Sequence, residues 1–118
     1  MQKKYNFIQN RQVPPKSYSK QDVRKLYSNS GTTYFSRQKL KRLIADCFKQ
    51  NNNKKIYLKD ELSKIGYQKQ RHYFTLPECS LIFEFLGPPE LNQKNIYLLF
   101  NKGFIESKEL EKYNIPYK

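Results

Sequence analysis

At 118 residues, only 37% of them hydrophobic, the chain has material for one lean core and not for two. No apolar run approaches the roughly 18 residues of a membrane span, and no charged-then-apolar signal segment opens the chain, so a soluble intracellular protein is expected. The net charge of +13 is unevenly placed: residues 1–30 carry seven Lys/Arg against one acid, 31–75 eleven against three, and 76–118 five against six. That division fits a polyanion-binding part joined to a protein-contacting part, with nucleic acid favoured over membrane because no wide apolar face accompanies the basic one.

Residues 1–16 read as an arm, stiffened by "QVPPK". In "SKQDVRKLYSNSG", Ser19 is placed to cap a short helix with Asp22 in its first turn. Val23, Leu26 and Tyr27 share one face and Gly31 follows the end. The next helix is the most strongly patterned. Ser36 caps it, and Leu40, Leu43, Ile44, Cys47 and Phe48 fall at i, i+3, i+4, i+7 and i+8 on one stripe. Lys39, Arg42 and Lys49 lie opposite, and "KQNNNKK" ends the pattern.

"YLKDELSKIG" gives another short helix on Leu58, Leu62 and Ile65, with acids first and Lys64 last to match the helix dipole. "YQKQRHYF" follows. Thr75 and Glu78 then stand at capping-box spacing, with Pro77 in the first turn of a helix that runs to Gly87. The alternative for "SLIFEFL" is a buried strand. "NQKNIYLLFNKG" and "ESKELEKYNIP" read as two further short helices, which makes the class all-α.

The 32–76 segment resembles a homeobox. Phe35 resembles the aromatic that opens that family's first helix, and Leu40, Leu43 and Cys47 or Phe48 resemble its core. Leu62, Ile65 and Gly66 resemble the end of its second helix, and "HYF" at 72–74 its recognition-helix aromatic pair. The resemblance implies a three-helix (helix-turn-helix) core over 31–76. A basic arm and short helix would precede it over 1–30, and a C-terminal helical extension would follow over 77–118. Leu76 stands where the family's base-reading asparagine would, and Pro77 stops the basic continuation, so the implied contact is with phosphates rather than bases. The sequence is also similar to the small homeobox-like accessory subunits of ciliate DNA N6-adenine methyltransferase complexes. That likeness implies a nuclear, non-catalytic DNA-binding subunit of a DNA-modifying assembly.

The expected partners are therefore nucleic acid, with double-stranded DNA first, and protein subunits. No membrane, small-molecule substrate, cofactor or metal is expected. Lys39, Arg42, Lys54, Lys55, Lys69, Arg71 and His72 are the candidate nucleic-acid contacts, and Lys3, Lys4 and Arg11 would extend them along a groove. Tyr67, Tyr73 and Phe74 are candidates for base stacking or core. Ile82, Phe83, Phe85, Leu99 and Phe100 complete the core or form a partner interface. Cys47 and Cys79 read as buried thiols, with a single disulfide as the alternative, and with His72 they are too few for a zinc site. No catalytic constellation stands out, and the competing class is a small basic RNA-binding subunit of a ribosome-like assembly.

Overall fold

Apolar stripes, Ser and Thr caps and two consecutive asparagines decide the local structure of this chain. The computed structural model describes residues 12–28 and 36–108. They divide between two compact units, Pro15–Pro88 and a second made of the chain up to Pro14 with the chain from Pro89 onward.

In the 15–88 unit, α1 (Lys20–Tyr27) begins where the Ser19 hydroxyl accepts the Asp22 N–H, and it buries Val23 and Leu26. Helix α2 (Arg37–Asp46) begins the same way, with Ser36 accepting from Lys39 N–H, and it buries Leu40 and Ile44. It ends at Cys47, whose extended backbone (ψ 137°) starts a strand. β1 (Phe48–Asn51) and β2 (Lys54–Tyr57) pair antiparallel in the register Phe48–Tyr57, Lys49–Ile56, Gln50–Lys55 and Asn51–Lys54. Asn52 and Asn53 form the two-residue turn with φ of 53° and 69°. Two successive positive φ values are the requirement of the hairpin turn whose twist matches its strands, and Asn is among the few residues that meet it with little strain.

The hairpin overturns the all-α expectation: the described residues are about 52% helix and 13% strand, an α/β composition. The helical period that runs through Cys47 and Phe48 is cut short because Asn51, Asn52 and Asn53 favour a turn over another helical turn.

Helix α3 (Leu58–Lys64) follows β2 without a break and packs against α2, β2 and α4. It buries Leu58 and Leu62 and closes with Gly66 in the left-handed region (φ 89°). The Gly66 and Tyr67 N–H groups donate back to Ser63 and Leu62 carbonyls, a glycine-closed helix end. Helix α4 (Leu76–Leu86) carries the expected capping box and is helix, not strand. The homeobox-like third helix is absent. Residues 67–75 are loop, held extended where Phe74 N–H donates to Tyr18 and His72 accepts from Lys20 N–H. The expected boundary between residues 76 and 77 lies within the first turn of α4.

In the other unit, α5 (Gln93–Asn101) is capped by Asn92 and buries Ile96 and Leu99. The 1–11 arm, Gly31, Phe35 and most of the last expected helix lie outside the described residues.

The turn geometry makes a specific demand. Asn53→Gly is expected to hold or raise stability, whereas Asn53→Val, with a β-branched side chain at positive φ, is expected to cost about 1–2 kcal/mol in urea unfolding. Equal effects from both substitutions would contradict the turn assignment.

Candidate nucleic-acid interface

The exposed face of α2 carries Arg37, Lys39, Lys41 and Arg42 with Asp46 as its one acid. The buried stripe of Leu40 and Ile44 turns that face outward. Arg37, Lys41 and Arg42 make no ion pair among the described residues. The chain passes from α2 into the hairpin, where Lys54 and Lys55 are exposed on β2 and Lys59 on the first turn of α3. Lys54 has no carboxylate partner among the described residues, and Lys55 Nζ lies 4.7 Å above the Phe48 ring. Lys49 is committed elsewhere, 2.6 Å from Glu84 and over the Phe85 ring on α4.

The segment 66–75 behaves differently from its sequence expectation. Arg71 is on a loop and its guanidinium is bidentate to Glu78, at 2.8 and 3.0 Å, with weaker reach to the Gly66 and Tyr73 carbonyls. Glu78 is buried, with 1% of its side chain exposed, and it also accepts the Thr75 N–H at 2.8 Å. Burial pushes the Glu78 carboxyl up, but the Arg71 hydrogen bonds, the Thr75 N–H and the Arg71 charge together outweigh it and hold it below its ordinary value. Arg71 is thus engaged by a buried carboxylate, with 20% of its side chain exposed. Lys69 and His72 are exposed on this loop. Tyr67 and the fully buried Phe74 are stacked at 5.8 Å under Lys20 Nζ, so Phe74 is core. Tyr73 is exposed beside Arg71.

Ile82, Phe83 and Leu99 are buried within the chain and offer a partner nothing, while Phe85 and Phe100 are half-buried. Among the described residues, the exposed large apolar side chains are Phe48, Ile65, Tyr73 and Leu76. Cys47 and Cys79 are free thiols; burial raises both, Cys79 to about 11, so they stay protonated at neutral pH. No group of His, Cys, Asp and Glu among the described residues is placed to hold a metal ion. No helix there is long and apolar enough to cross a membrane. Lys3, Lys4 and Arg11 lie outside the described residues.

A family model for a domain of unknown function, DUF4248, matches residues 14–89, which is more than half of the chain and coincides with the 15–88 unit. The chain belongs to the DUF4248 family. No curated protein and no solved structure matches it.

The DUF4248 unit therefore contains the whole α2–hairpin surface together with the Arg71–Glu78 pair. Sequence reasoning missed two parts of that surface. Arg37 and Lys41 lie off the apolar stripe and were readable as outward-facing. Phe48 was assigned to the stripe, but it pairs with Tyr57 across the Asn52–Asn53 turn as a strand residue, 41% exposed.

Because folded Glu78 holds its proton more weakly than an unfolded glutamate, the pair stabilises fully above the ordinary value of 4.5. That contribution is lost as pH falls through the lower folded value. Thermal melts of Glu78→Gln are expected to start lower at pH 7 and to decline less steeply below pH 4.5 than the parent. Arg71→Ala is expected to lower Tm where Lys69→Ala does not, and Thr75→Ala to cost about 1 kcal/mol.

Proposed function

We propose that the DUF4248 unit is a non-catalytic nucleic-acid-binding module that lays α2 and the β1–β2 hairpin along the phosphate backbone of duplex DNA. The observation that carries this reading is the row of exposed cations on two consecutive elements. Arg37, Lys41, Arg42 and Lys54 have no carboxylate to neutralise them among the described residues. The major groove, about 12 Å wide, admits either an α-helix or a two-stranded ribbon, and this unit presents one directly after the other. Arginine and lysine aimed at phosphates fix position without reading sequence, so binding is expected to be salt-dependent and weakly selective. Lys39 and Lys55 add to the same field. In a DNA-modifying assembly of the kind the homeobox-like resemblance implies, such a module would hold DNA for a catalytic partner.

Fluorescence anisotropy of the full chain against duplex DNA across a salt series tests the reading. The logarithm of affinity is expected to fall linearly with the logarithm of salt, by about 0.9 for each phosphate neutralised. Replacing Arg37, Lys41 and Arg42 with Ala should make that slope shallower by the same amount for each phosphate no longer neutralised. A slope unchanged in the triple variant would contradict the assignment of α2. Binding to structured RNA but not to duplex DNA would move the function to a ribonucleoprotein.

A further inference from the structure

The two faces of the β1–β2 hairpin differ in kind. Side chains alternate along a strand, so Lys49, Asn51, Lys54 and Ile56 share one face and Phe48, Gln50, Lys55 and Tyr57 share the other. The first face meets the unit through Lys49, which pairs with Glu84 and covers Phe85 of α4, and leaves Lys54 exposed near the turn. On the second, Phe48 and Tyr57 stand directly opposite each other, ring centroids 5.5 Å apart and tilted by 44°. Phe48 is 41% exposed, and each ring has an ammonium above it: Lys55 Nζ at 4.7 Å from Phe48 and Lys59 Nζ at 5.6 Å from Tyr57.

A cross-strand aromatic pair stabilises a hairpin by itself and has no need of two lysines. An apolar partner would want the rings without the charges, and a bare phosphate the charges without the rings. An exposed aromatic ring set among cations matches a nucleotide strand, in which a flat base and a phosphate alternate.

We infer that this outward face is a stacking platform for an unpaired base, which makes nucleic acid with at least one unstacked nucleotide the preferred substrate class. The inference rests on the backbone-binding reading above and deepens it. The incoming base takes the place of the Lys55 ammonium on the Phe48 ring, and that ammonium moves onto the adjoining phosphate. Tyr57 supports the ring from the neighbouring strand, and the Gln50 amide lies on the same face within reach of a base edge. The α2 cations hold the flanking backbone meanwhile. This chemistry selects no particular base, because every base has a face to stack.

The test compares the full chain on three probes of one sequence: a blunt DNA duplex, the same duplex with a single unpaired adenine, and the single strand. The unpaired-adenine duplex is expected to bind about tenfold tighter than the blunt one, the value of roughly one stacked base. The Phe48 ring proton signals should move upfield on binding. Phe48→Leu, checked by melting to be folded, should lose the preference, so that the unpaired-adenine and blunt duplexes bind alike, while Phe48→Tyr should keep it. Equal affinity for both duplexes with no ring shift, or a preference that survives Phe48→Leu, would overturn the platform while leaving backbone binding intact. Failure to bind any of the three probes, even at low salt, would overturn both.

Discussion

A carboxylate buried to 1% exposure has to be surrounded by donors, and the way Glu78 meets that demand organises the basic half of this chain. It takes two guanidinium hydrogen bonds from Arg71 and one backbone N–H from Thr75. The same arginine reaches back to the Gly66 carbonyl at the end of α3. One ion pair thus ties the end of α3, the 67–75 loop and the start of α4. The bridge between Ser19 and Tyr73 and the Ser17 hydroxyl on the Phe74 carbonyl hold the loop from its other side. A segment rich in cations is fixed as loop, and its arginine serves structure. The cations left for a ligand lie mainly on α2 and the hairpin.

Much of this could be read from the residues. Ser19, Ser36 and Thr75 mark the helix starts they cap, and the Thr75–Glu78 spacing with Pro77 settles helix over strand for "SLIFEFL". What periodicity could not show was where the second helix stops. Cys47 and Phe48 continue its stripe on paper, yet the asparagine run favours a turn over another helical turn, and the strand pairing that follows is non-local. The third-helix expectation failed for a related reason. "YQKQRHYF" contains no breaker, but it lies between a glycine-closed helix end and a helix start fixed by Thr75 and Pro77, and Phe74 is drawn into the core. No spacing rule reveals that Arg71 and Glu78 are partners. That contact joins a loop to a helix, and it gives an expected phosphate ligand a structural partner as well.

The fold and the charge distribution support one functional account between them. The apolar stripe of α2 is covered inside the unit, which leaves its arginines and lysines outward, and the hairpin that follows directly in the chain adds exposed lysines. Its lysines also blunt the open edges of a two-stranded sheet, so the face proposed for binding also guards against edge pairing. Buried Ile82, Phe83 and Leu99 show that the apolar residues of the last third of the chain mostly complete its own packing. Any protein partner would more readily meet Ile65, Tyr73 and Leu76.

The central claim is that nucleic acid meets α2 and the hairpin and not the 67–75 loop. Backbone amide shifts of the full chain, recorded by NMR during titration with a short DNA duplex at low salt, test it directly. The account expects the largest changes over Arg37–Asp46 and Phe48–Tyr57, with Arg71, Thr75 and Glu78 amides little moved. Changes concentrated on Lys69 to Phe74, with α2 silent, would contradict it.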